Sequence, residues 1–112
     1  MSQVIQDSTL DWVPVRPEVT RGITGRTLLA DGVKVVLTRG APGGEFKLHR
    51  DKYGHLCYFL SGEGSVRVND QAYTAKPGLV VHVLPGEPHA YANSGSQELV
   101  LISLNLPEQA TQ

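Results

Sequence analysis

The stretch Gly43-Gly44-Glu45-Phe46-Lys47-Leu48-His49-Arg50-Asp51-Lys52-Tyr53-Gly54-His55-Leu56-Cys57-Tyr58-Phe59-Leu60-Ser61-Gly62 holds two apolar runs, Phe46 to Asp51 and Leu56 to Leu60. A short polar connection containing Gly54 joins them, and glycines bracket the whole. Runs of this kind read as two paired strands with a bent junction. Along a strand, residues two apart face the same side about 6.5 Å from each other. His49 and Asp51 therefore present an imidazole and a carboxylate in one direction, with Arg50 turned away. His55 opens the second strand, and antiparallel pairing of the two would place it across from the first pair, within cross-strand reach.

Upstream, Val33 to Thr38 is β-branched, starts after the turn signal Asp31-Gly32 and stops at Gly40-Ala41-Pro42-Gly43-Gly44. Downstream, Ser65 to Val68, the polar pair Asn69-Asp70 and Ala72 to Ala75 spell a hairpin. Leu79 to Leu84 ends at Pro85, which has no N–H to continue a ladder, and Glu98 to Leu104 is the last apolar strand. Leu10 to Val15 and Thr24 to Ala30 are weaker strand candidates. No segment carries a sustained helical period with caps, and twelve glycines and seven prolines are spread along the chain. The class is all-β. Eight or so short strands fit a sandwich or a closed barrel, and pattern alone does not choose between them.

A fourth group, His89, follows Pro85-Gly86-Glu87-Pro88, a turn that brings a later strand back toward the same point. Three imidazoles and a carboxylate make a mixed nitrogen and oxygen set. It suits iron, manganese, nickel, copper or zinc better than calcium or magnesium. At these residues the chain resembles the cupin superfamily. Gly43, His49, Asp51, His55 and Gly62 stand at the spacings of its first motif; Gly78, Pro85, Gly86, His89 and Asn93 follow its second, with one extra residue before the proline.

The resemblance implies a double-stranded β-helix, the RmlC-like jelly-roll β-barrel, with residues 1–20 as an N-terminal arm or edge strand, 21–107 as the cupin barrel and 108–112 as a C-terminal tail. It also implies one divalent metal ion per chain on His49, Asp51, His55 and His89, with iron or manganese preferred and zinc, nickel or copper as alternatives. Two positions depart from the family pattern. Asp51 stands where a second histidine is usual, and His55 where glutamate is usual. Asp51 is then either the fourth ligand or an acid/base group beside an open coordination position.

Other residues have both plain and functional readings. Asp51 would pair with Arg50 or Lys52 if it faced solvent. Cys57, Phe59, Tyr91 and Asn93 share the parity of His55 or His89, and Lys47 that of His49, so these five are expected on the wall of a substrate pocket. Core packing is the plain alternative for Cys57 and Phe59, and a solvent-reaching amine for Lys47. Tyr91 and Asp51 are the candidate catalytic groups, able to move or donate a proton. Tyr58 reads as structural and Tyr53 stays ambiguous. His82 is a packed or surface histidine, and Trp12 covers an edge or a dimer interface.

The chain has 112 residues, the size of one domain, and ten basic against eleven acidic residues give a charge of −1. No positive field draws nucleic acid or an anionic membrane. A small-molecule substrate and a second copy of the chain are the expected partners, the latter by resemblance and because sheet edges invite pairing. One cysteine excludes an intrachain disulfide, and the start Met-Ser-Gln-Val-Ile-Gln-Asp reads as no secretory signal, so a cytoplasmic location is expected. Three functional hypotheses follow: a metal enzyme of the dioxygenase, isomerase, lyase or cyclase kind; a non-catalytic cupin binding a sugar or small acid; and a structural barrel with a relic site.

Overall fold

The computed structural model describes residues 2–107, and the tail expected at 108–112 lies outside them. Apart from a 3₁₀ turn at Asp7–Thr9, the described residues form strands and their connections: β1 (Val13–Pro14), β2 (Thr20–Asp31), β3 (Val33–His49), β4 (His55–Ser61), β5 (Gly64–Val68), β6 (Gln71–Ala75), β7 (Val80–Val83), β8 (His89–Ala92) and β9 (Leu99–Asn105). The Leu10 to Val15 candidate contributes only β1, because Pro14 has no N–H to extend the ladder beyond Val13↔Gly25 and Pro14↔Thr24. Gly32, at φ 74°, closes the hairpin between β2 and β3 in a conformation that glycine adopts without steric cost.

The glycine-rich segment after Thr38 does not end a strand, as its composition suggested. It is the bend in β3. One residue of β2, Gly22, faces four of β3, Ala41 to Gly44, and the bulge redirects the strand. Before it, Lys34 to Gly40 pair with β9; after it, Glu45, Phe46 and His49 pair with β8. β3 thereby belongs to both sheets of a jelly roll whose strands run β6-β5-β8-β3-β9-β4-β7, with β2 along the other side of β3.

The expected pairing of the Phe46 to Asp51 run with the Leu56 to Leu60 run is overturned. β4 pairs with β7 and β9, and β9 lies between β3 and β4. The polar connection crosses the barrel mouth instead of closing a hairpin. Two backbone bonds hold it there, from Gly86 N–H to the carbonyl of Asp51 at 2.8 Å and from Leu106 N–H to that of Gly54 at 2.9 Å.

The inward side chains change character along the barrel axis. On β4 they run His55, Cys57, Phe59, and their partners on β9 run Asn105, Ser103, Leu101. Each pair forms one layer. The deepest layer joins Ile23, Val66, Ala75 and Leu99 in a closed apolar core in which Phe59 is 1% exposed. Burying such side chains contributes about 1.5–3 kcal/mol each. The polar layers are left at the open end, where the connections arrive.

Candidate metal centre

His49 ends β3 and lies directly opposite His89, the first residue of β8. His55 enters from β4 in the facing sheet, and Asp51 sits on the connection between β3 and β4. The site thus spans both sheets. One ligand atom from each of the four residues falls within 4.8 Å of all the others. The structure brings together all four residues that the sequence singled out as donors.

Each imidazole is oriented by its outer nitrogen. Nδ1 of His49 lies 2.7 Å from the carbonyl of Lys47, and Nδ1 of His89 lies 2.9 Å from that of Glu87. Nδ1 of His55 faces the Asn105 side-chain amide at 3.1 Å. Where Nδ1 donates to an oxygen, the proton is outside and the Nε2 lone pair points inward. The three Nε2 atoms converge on Oδ2 of Asp51, at 3.2 Å from His49, 2.6 Å from His55 and 3.7 Å from His89. Lone pairs therefore face a carboxylate oxygen. A proton shared between His55 and Asp51 relieves one contact, yet Nε2 of His49 stays buried with no hydrogen-bond partner. Such an acceptor-rich centre fits a divalent cation of the nitrogen- and oxygen-preferring kind.

Asp51 is not a solvated charge beside Arg50 or Lys52. Its side chain is 6% exposed, and Nη1 of Arg16 donates to Oδ1 at 2.7 Å. Burial works against the carboxylate, but the bonds from His55 and Arg16 outweigh it and hold its pKa below the ordinary value. Burial lowers the pKa of His55 and of His89, which favours the neutral, metal-binding form. Arg50 points away and donates to the carbonyl of Gly86.

Sequence reasoning missed Arg16. It stands 35 residues upstream of Asp51, just after β1, and reaches the centre only because β1 pairs with β2 at the barrel rim. Outside the rim, Trp12 stacks against two guanidinium groups, Arg39 at 3.9 Å and Arg26 at 4.3 Å from the ring centroid, and pins the arm to the sheet. Inside it, Val15 sits so close that a Cβ on Gly25 would lie 3.0 Å from its methyl and 2.6 Å from one of Val36. A lone arginine in a segment of valines and prolines carries no pattern by which this contact could have been read.

A cavity of about 320 Å³ opens beside the four donors. Cys57 and Tyr91 line it; Lys47, Phe59 and Asn93 do not. Between Phe46↔Tyr91 and His49↔His89, β3 spends one residue more than β8, so a bulge shifts the parity there. Phe46 turns inward to stack on His49 at 4.3 Å, and Lys47 turns out to solvent. Phe59 lies in the core beneath. Asn93 is committed to backbone, donating to the carbonyls of Gly40 and Gln97 and accepting from Gly95 N–H. His82 is exposed. Burial pushes the Cys57 thiol up to about 11, against a bond to Ser103, and raises the Tyr91 phenol far above its usual value.

The family model of the cupin domain matches residues 36–105. The chain belongs to the cupin family. Solved cupins and their relatives share its fold at low sequence identity. A structure described as a predicted oxalate decarboxylase from Thermotoga maritima superposes with TM-score 0.85 at 21% identity, covering 94% of this chain and 99% of that one. The polyketide cyclase RemF from Streptomyces resistomycificus gives 0.86 at 21%, over 97% and 81%. An RmlC-like cupin from Shewanella frigidimarina gives 0.82 at 17%, over 96% and 92%. No curated protein sequence matches this cupin. At these identities the structural likeness speaks for the fold alone.

Proposed function

We propose that this cupin is a mononuclear metal enzyme acting on a small polar metabolite, with iron or manganese as the preferred ion. The observation that carries the reading is the convergence of three imidazole Nε2 atoms and Oδ2 of Asp51, with Nε2 of His49 left without a protein partner. A bound divalent ion would supply a Lewis acid for a substrate oxygen, as isomerase, lyase and cyclase reactions use, or, where it is redox-active, a site for dioxygen, as dioxygenase reactions use. His49, His55 and His89 are held by their Nδ1 contacts to serve as ligands. Arg16 fixes the carboxylate of Asp51 so that Oδ2 is the fourth donor. Tyr91, kept protonated by burial, gives its hydroxyl to the substrate as a hydrogen-bond donor.

One observation favours a binding cupin instead. Asp51 is held ionised and Tyr91 neutral, so neither changes protonation state near neutral pH. The two readings share the metal and differ in turnover.

Elemental analysis of protein from its native host, repeated for His49→Ala and Asp51→Ala, tests the common part. One equivalent in the parent, none in His49→Ala and a reduced content in Asp51→Ala are expected. A parent without stoichiometric metal that also fails to take up added cobalt defeats the reading.

The described residues contain no helix long and apolar enough to cross a membrane. The free thiol of Cys57 supports a reducing compartment such as the cytoplasm. We also propose that the protein is a homodimer. Leu37, Ile102, Tyr58 and Val80 form a continuous row across the outer face of β3, β9, β4 and β7. An antiparallel sheet with one face on its core ordinarily carries polar residues on the other, so this row suits a second copy.

A further inference from the structure

The cavity beside the donor cluster is lined by two kinds of side chain. Val13, Val15, Val36 and Phe46 give it apolar surface. Several of its neutral polar groups are spent on one another: Thr38 with Ser103 at 3.2 Å, Ser103 with Cys57, and Asn105 with His55. What remains uncommitted can donate. Thr27, Tyr53 and Tyr91 line the cavity with hydroxyls that make no hydrogen bond among the described residues; Arg16 uses Nη1 on Asp51 and Nε on Glu18 and leaves Nη2 free; Lys34 lines the cavity with no ion pair among the described residues. Two of these free groups, Arg16 and Lys34, are cations. No carboxylate lines the cavity; Asp51, in the donor cluster beside it, is already faced by Arg16 and three imidazoles.

We propose that this cavity takes a small organic anion with an apolar body, a carboxylate the size of a single ring, and that Lys34 selects its charge. The inference rests on the reading of the cavity as a substrate site and names the substrate class. A volume of about 320 Å³ lies at the small end of ligand pockets, which start near 300 Å³. A polyol would leave hydroxyl protons facing Val15, Val36 and Phe46, and each unpaired polar group held there weakens binding. An acid with an apolar body meets both the free cations Arg16 and Lys34 and the hydrocarbon of Val15, Val36 and Phe46.

The test is calorimetric binding of benzoate, benzamide and glucose to zinc-loaded and zinc-free protein, with Lys34→Met as the variant. Lys34 is exposed at the start of β3, so its loss leaves the core intact. Benzoate is expected to bind at least about tenfold tighter than its neutral isostere benzamide, and glucose not at all. Lys34→Met should weaken benzoate about fivefold or more and leave benzamide unchanged, and added salt should weaken benzoate alone. Equal binding of benzamide, preference for glucose, no binding of benzoate at tens of millimolar, or an undiminished charge preference in Lys34→Met overturns the assignment. Zinc content is measured on the same samples. An intact benzoate preference without metal uptake would remove the metal reading and leave this one standing; a full equivalent of metal with no preference would do the reverse.

Discussion

Replacing Arg16 with methionine keeps an unbranched stem over Phe46, whose ring centroid lies 5.9 Å from the guanidinium, and deletes the 2.7 Å bond to Asp51. The carboxylate it leaves is 6% exposed and keeps only imidazoles as neighbours. A hydrogen bond to a charged group is worth about 1.5–3 kcal/mol, and stranding a buried charge costs at the upper end of that range. Arg16 is itself 35% exposed, so solvent screens part of the attraction. The net loss expected for the metal-free protein is about 1–2 kcal/mol. With a urea slope of roughly 1.5 kcal/mol/M for a chain of this size, the unfolding midpoint should fall by about 1 M. A double-mutant cycle isolates the cause. On an Asp51→Asn background no anion is stranded, so the same Arg16→Met change should cost less than about 0.5 kcal/mol. Urea titrations with excess chelator at pH 7 read all four proteins. A cost for Arg16→Met within about 0.3 kcal/mol of zero, or an equal cost on both backgrounds, would refute the claim that the arginine acts through Asp51.

Four further outcomes are expected. Metal-free protein should lose stability as the pH falls from about 7 to 5, because His55 and His89 have folded pKa values below the ordinary 6.5 and the unfolded chain takes up protons first; Asp51, also lowered, adds a second loss below its ordinary 3.8, and a flat midpoint between pH 5 and 7.5 would contradict the burial argument for the histidines. Gly25→Ala should destabilise by about 1–3 kcal/mol through overpacking against Val36 and Val15, read by thermal melting, whereas an unchanged melting temperature would mean the arm is not seated there. Phe59→Ala should cost about 3–5 kcal/mol in chemical denaturation, and a cost under about 1 kcal/mol would show that the deepest layer is not the core. Tyr58→Glu, on the apolar outer row, should convert a dimer to a monomer by sedimentation analysis; a monomeric parent would end the dimer proposal.

Much of the fold was legible because turn residues and alternation act locally. The Asn69-Asp70 hairpin, the Asp31-Gly32 turn and the halt before Pro85 all depend on backbone preferences that residue types carry with them. The four donors were legible for a related reason, since their spacing is a property of the family's strands. Pairing was not. Phe46 to Asp51 and Leu56 to Leu60 look like a hairpin because they are adjacent in sequence. Their separation by β9 depends on apolar contacts that form only when Leu101 and Phe59 meet. Parity arguments likewise failed at Lys47, where a single extra residue reverses inside and outside, and nothing in Phe46-Lys47-Leu48 announces a bulge. Arg16 and the Trp12 stack lay beyond reach because an arm's path over a rim is a tertiary event.

The layering of β4 against β9 has a consequence for how this chain can change over time. His55 with Asn105 and Cys57 with Ser103 occupy levels above the apolar floor of Phe59 and Leu101, and of these Cys57 packs against that floor. Substitutions at the upper levels alter what is recognised while the floor continues to hold the barrel shut. Substitutions at the floor remove shape and recognition together. New specificities can therefore arise by drift at a handful of upper positions such as Thr27, Lys34, Val36 and Ser103, without a compensating change elsewhere. A library randomised at those four positions should yield mostly folded proteins, and one randomised at Phe59, Leu99 and Leu101 mostly aggregates.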